Sequence, residues 1–159
     1  MSGVWSGKLD CTFHGKMHWE LNEPLWFLSE AASEHHDLWK EMGVRITHHK
    51  PTSKSKVYAP KGFDTDLASI PRAGWALVSP WDVARPAIIH DVLYAAIRKF
   101  RYHHNDDKIA FKAKKVADLV FKHAMDDAEP PVSGWKKWLC YQAVNWFGKS
   151  SVAPTEADK

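Results

Sequence analysis

Cysteine is scarce in this sequence: Cys11 and Cys140 are the only two in 159 residues. Two distant cysteines make neither a disulfide framework nor the paired spacing of a zinc ribbon. They are expected as reduced thiols, which suits a cytosol or a particle assembled in one. Long apolar runs are missing as well. None approaches the roughly 18 residues of a membrane span, so no transmembrane segment is expected. The opening MSGVWSGKLD has no basic start and no apolar stretch of the secretory kind. Action outside a cell then implies release by lysis or carriage in a particle. Formal net charge is only +3, with no lysine/arginine block or basic stripe, so a nucleic-acid partner is not expected. A glycine-rich phosphate loop and a nucleophile elbow are absent too.

Tryptophan, by contrast, is plentiful, with nine residues. Core packing is the default for any one of them, and anchoring of a partner is the alternative. An apolar fraction of 45% and a charged fraction of 26% are those of a globular chain able to bury a core without staples. One domain is expected over 1–148.

Residues 1–60 read as β-rich. KLDCTFHGKMHWELNEPLWFLSE holds two strand-like runs split by Gly15, and Pro24 within the second marks an edge or a bulge. EHHDLWKEMG is one or two helical turns closed by Gly43. VRITHH and KVYAP are short strands around the polar loop KPTSKS. Residues 61–81, with scattered glycine and proline and no period, read as an ordered loop. Three helices follow over 82–148. The first starts between Asp82 and Pro86 and runs to Phe100, with RYHHND as the turn. The second runs from Asp107 to Met125, N-capped by Asn105 or Asp106. The third is WKKWLCYQAVNWFG, with Gly148 just past its end. Residues 149–159 are expected to be a frayed polar tail. The fold expected is α+β: a small N-terminal antiparallel sheet packed on a C-terminal three-helix unit.

The first helix poses a chemical question. RPAIIHDVLYAAI is apolar on nearly every side, through Ile88, Ile89, Val92, Leu93, Ala96 and Ile97, yet carries His90 and Asp91 side by side. A helix apolar all round is buried, and buried titratable groups need partners. Neighbouring helical positions point about 100° apart, so the two side chains meet different surroundings and divide their labour. The second helix offers Asp118, at the edge of a face made by Ala110, Ala113, Ala117, Val120, Phe121 and Ala124. A short turn sets the two helices antiparallel, so Asp118 is placed to face His90, fixing one ring nitrogen and leaving the other as a base. Bland readings stand beside this one. His90 is equally a satisfied core histidine. Asp118 is equally a surface residue paired with Lys114 and Lys122, and Asp91 a partner of Arg98 or of a lysine. The loop FDTDLASIPR adds Asp64, Asp66 and Ser69: Asp66 followed by Ser69 reads as an Asx or capping turn, or the loop aims a carboxylate and backbone carbonyls at the same site, for a hard cation such as calcium. The pairs His35-His36, His48-His49 and His103-His104 lack the i,i+4 spacing of a zinc helix. The SEHHD pair is the first to test for zinc.

Four motifs in order, GFDTDLASIPR, HDVLY, ADLVFKHAM and YQAVNWFG, resemble an uncharacterised family of tailed bacteriophages and prophages, domain of unknown function 1353. The likeness spans Trp19 to Gly148 and includes WELNEPLWF, similar to the family's opening; the insert FRYHHNDDKIAFKAKK is longer than usual. The resemblance implies a phage-encoded protein of the virion (tail or baseplate) or of the lysis region. It would be made in the host cytoplasm and then carried in the virion, with other phage structural proteins or a second copy as partners. A fainter likeness concerns the site. An HDxxY helix followed by an antiparallel helix bearing Ala-Asp is similar to the core of phospholipases of the A-two type, compact viral ones included. It implies His90 as the base that activates water, Asp118 as its support, Asp91 as a calcium ligand and Tyr94 as the motif tyrosine. The reaction implied is calcium-assisted hydrolysis of a cell-envelope ester. The glycine-rich calcium loop of those enzymes has no counterpart here, nor have the disulfides, which the viral versions also lack.

Overall fold

A computed structural model of the chain describes residues 4–67, 74 and 76–159. Its strands are β1 (Cys11–Gly15), β2 (His18–Leu21), β3 (Leu25–Ser29), β4 (Ile46–His48), β5 (Ser55–Ala59) and β6 (Asp64–Thr65). Its helices are α1 (Glu30–Glu34), α2 (His36–Glu41), α3 (Ala84–His104), α4 (Asp107–Asp126) and α5 (Gly134–Ser151), with 3-10 turns at Pro80–Val83 and Glu156–Asp158.

The architecture is α+β, but the strands form two antiparallel sheets rather than one. Their orders are β1-β2-β6 and β3-β5-β4. The first begins as a hairpin closed by Lys16 and Met17, both left-handed (φ +50° and +65°), the backbone that a tight two-residue hairpin demands. Its third strand, β6, comes from the stretch read as loop: Thr65 and Asp64 pair with Trp19 and Glu20. Two residues are too few for an alternating pattern to register. In the second sheet, Pro24 lies just before β3, and Leu25, Phe27, Leu28 and Ser29 are all buried. Ser29 ends the strand and starts α1, its hydroxyl accepting the Ala32 amide at 3.1 Å.

Helix α3 is the centre of the molecule. It packs against α4, β3 and β5, and His90, Ile88, Ile89, Leu93 and Ile97 are all at most 1% exposed. Asn105, left-handed at φ +50°, ends it one turn later than expected, and Asp106 caps α4 by accepting the Ile109 amide at 3.0 Å. The contacts Arg101–Asp107 and His90–Asp118 fix α3 and α4 as antiparallel.

The expected frayed tail is docked. α5 continues past Gly148 to Ser151, and Val152 is wholly buried. Arg101 donates to the Val152 carbonyl at 2.7 Å, Arg98 donates to the Ser151 carbonyl at 3.1 Å, and Arg98 also pairs with Asp158 at 3.5 Å. Arg98 and Arg101 of α3 give this polar segment an anchor that its own composition does not reveal. No helix among the described residues is long and apolar enough to cross a membrane.

Candidate functional site

Helix α3 turns His90 toward α4, where Asp118 meets it: Nε2 lies 3.0 Å from Asp118 Oδ1. Tyr94, one turn on, donates its hydroxyl to the same oxygen at 2.6 Å. The other oxygen, Oδ2, takes the Lys114 ammonium at 2.6 Å, and Lys114 also donates to the Val144 carbonyl of α5 at 3.2 Å. All four side chains are buried. The His90 ring sits between Tyr94 and Phe121, at centroid distances of 3.9 and 4.8 Å. Burial alone would push the Asp118 carboxyl up; the hydrogen bonds from His90, Lys114 and Tyr94, with the charge of His90, hold it below the usual carboxylate range. Burial, with the Asp118 charge beside it, pushes the Tyr94 hydroxyl far up, so it stays a donor. Because Asp118 is ionised, Nε2 is assigned as the protonated nitrogen, which makes Nδ1 the basic one.

Gly148 closes this cluster from α5. A Cβ there would stand 2.6 Å from Lys114 Cε and would run into the Tyr94 hydroxyl. The glycine read as a helix stop is instead a helix-interior residue that admits Lys114 and Tyr94.

Asp91, about 100° round the helix, faces β6. Its Oδ2 accepts the Thr65 hydroxyl at 2.5 Å, and Thr65 Oγ1 in turn accepts the Leu67 amide at 3.0 Å. Leu67 is buried and left-handed, at φ +53°. That conformation is an outlier for a branched side chain, and such strain collects at functional sites. A cavity of about 530 Å³ opens where these elements meet. His90, Asp91, Tyr94 and Arg98 of α3 line it, with Asp64, Thr65 and Asp66 of the β6 segment and Phe147 and Gly148 of α5. Asp66 is half-buried and shares the cavity with Asp91, while Asp64 is exposed and pairs with His18 at 3.3 Å. Ser69 lies outside the described residues.

The structure thus brings His90, Asp118, Tyr94, Asp91, Asp66 and Asp64 to one region. Asp118 proves to be a partner of both His90 and Lys114, two readings that stood as alternatives; Lys122 instead lies over the Tyr141 ring. Arg98 reaches the C-terminal segment. Lys114 and Thr65 were missed as site residues. Lys114 had a signal: it shares the alanine-rich face of Ala110, Ala113 and Ala117, where a long side chain is forced inward. Among the described residues, no three His, Cys, Asp or Glu side chains converge to hold a metal ion. Asp91 and Asp66 both line the cavity, which is two of the six or more oxygens that calcium takes, and no chemistry is derived through such an ion. The SEHHD pair gains no third ligand either. His36 stacks on His48 at 3.7 Å, and both rings bond the Ser55 hydroxyl at 3.2 Å.

What fold and site define is an α+β chain whose central helix presents a carboxylate-held histidine to a cavity. The chain belongs to the family described as "Protein of unknown function (DUF1353)", which matches residues 42–144. The matched range starts after the WELNEPLWF strand that the motif likeness had included. No curated protein and no solved structure matches the chain.

Proposed function

We propose that the chain is a His/Asp hydrolase acting on an ester of the cell envelope. The observation that carries this reading is a buried histidine, held at Nε2 by an ionised carboxylate, on the wall of a cavity of about 530 Å³. A histidine that only fills a core has no need of a cavity beside it. In the proposed step, His90 Nδ1 takes a proton from a water as its oxygen bonds to the acyl carbon. The carbonyl electrons move onto oxygen and return as the alkoxide leaves, and the imidazolium gives its proton to that alkoxide. Carboxylic acid and alcohol are the products. Asp118 supports the imidazolium, with Lys114 and Tyr94 fixing the carboxylate. Arg98 adds positive charge to the cavity wall.

The order of the four motifs supports the wider setting: a phage-encoded protein, virion-associated at tail or baseplate or belonging to the lysis region, present in host cytoplasm before assembly. Mass spectrometry of purified particles against the cleared lysate tests that setting.

The chemistry is tested by presenting the purified chain with phosphatidylglycerol and phosphatidylethanolamine and following fatty-acid release. Wild type should hydrolyse one of them, and His90→Gln, folded by circular dichroism, should not. A wild-type chain inert toward both, or a His90→Gln chain as active as wild type, would overturn the reading and leave the cluster as scaffold.

A further inference from the structure

The outer face of α5 carries three tryptophans on one stripe. Trp135, Trp138 and Trp146 follow each other at i, i+3 and i+11, and are 56%, 60% and 66% exposed. They lie opposite the buried line of Cys140, Val144 and Gly148. So much apolar surface, fully formed and turned outward, marks a contact site. Its charge indicates what it contacts. α5 holds Lys136, Lys137 and Lys149 and no acidic residue.

The neighbouring helix adds more. Exposed on the outer stripe of α4 are Lys108, Lys112, Lys115 and Lys122, at i, i+4, i+7 and i+14, interrupted by the exposed Leu119. The two stripes adjoin: Lys122 Nζ stands 5.4 Å from the Tyr141 ring, and Lys149 Nζ stands 5.5 Å from the Phe111 ring. Asp82 and Asp126, at the N-terminal end of α5, are taken up by Lys136 and Lys137. Among the described residues, no ion pair engages Lys108, Lys112, Lys115, Lys122 or Lys149.

We propose that the α4–α5 face docks on the surface of an anionic phospholipid bilayer, with the tryptophan rings at headgroup depth and the lysines against the lipid phosphates. Tryptophan beside lysine, on a helix too polar to span, is the composition of an interfacial helix. A second copy fits worse, because a two-fold contact would set one lysine row against another. This docking is independent of the hydrolase reading and stands whether or not His90 is catalytic.

The test uses the full chain in a sedimentation assay with vesicles of phosphatidylcholine mixed with phosphatidylglycerol, and with phosphatidylcholine alone. Expected is binding to the mixed vesicles only, weakened by salt, with quenching of tryptophan emission by brominated lipid. Trp138→Ser combined with Trp146→Ser, and separately Lys112→Glu combined with Lys115→Glu, should each lower the affinity by about tenfold or more, with circular dichroism unchanged. Four results would overturn the proposal. One is no binding of the wild-type chain to the mixed vesicles. Another is equal affinity in both variants. A third is a dimer that the tryptophan changes dissolve, which would assign the face to a second copy. The last is a single-stranded oligonucleotide bound through the same residues in place of lipid.

Discussion

Lys114 Nζ lies 2.6 Å from Asp118 Oδ2, four residues along α4, with both side chains almost sealed from solvent. The pair is therefore a buried charge couple within one helix, and the His90 contact rests on top of it. Removing one member of such a couple strands the other.

Lys114→Met should accordingly destabilise the chain by about 3–5 kcal/mol. His90→Leu, which removes one of three donors to Asp118, should cost only about 1–3 kcal/mol. Joining His90→Leu to Asp118→Asn should give no recovery, since Lys114 is then left without its carboxylate. Lys114→Met with Asp118→Asn should recover part of the loss. Urea unfolding of the five chains measures this ordering, and a Lys114→Met chain as stable as His90→Leu would contradict it.

Gly148→Ala sets two effects against each other. Alanine in a helix interior gains about 1 kcal/mol over glycine. Here the new Cβ meets Lys114 Cε at 2.6 Å and the Tyr94 hydroxyl more closely still. Overpacking of this kind costs about 1–3 kcal/mol, and the displaced groups are the ones that bond Asp118. Net destabilisation is expected, read as a lower Tm; a raised Tm would show that α5 shifts outward freely.

Stability should fall in acid partly through Asp118. Its folded-state pKa lies below the ordinary carboxylate value, so its contribution is complete above that ordinary range and is lost as pH falls through the folded value. Between pH 5 and pH 2, wild type should lose more stability than Asp118→Asn. Parallel pH profiles for the two chains would refute the link.

The two thiols should react at very different rates. Cys140 is wholly buried, and burial, with Asp82 nearby, pushes its pKa up to about 12. Cys11 is partly exposed, its pKa raised chiefly by burial. In an aromatic disulfide assay at pH 8, one thiol should titrate in the native chain and the second only in denaturant. Two fast thiols would place Cys140 wrongly.

Where a single element carried its own period or cap, the sequence was readable. The all-round apolar pattern near His90 predicts a buried α3, and Asp106 is legible as the cap of α4. The His90–Asp118 contact follows from a short turn and two apolar faces. Features assembled from distant pieces were not readable. β6 is a strand only because β2 is there to bond it. Lys114 and Gly148 acquire their roles from each other across α4 and α5. The α4 lysines look scattered in the chain, because apolar residues stand between them, and become a row only once the helix is wound.

The docked C-terminal segment has a consequence for any ligand of the cavity. Arg98 lines that cavity and already carries Asp158 at 3.5 Å and the Ser151 carbonyl at 3.1 Å. Asp158 is thus a tethered counter-ion, held at an effective concentration set by the short chain between it and α5. An anionic ligand that seeks Arg98 competes with the chain's own carboxylate. Its apparent affinity then reports the difference between two occupants of one guanidinium.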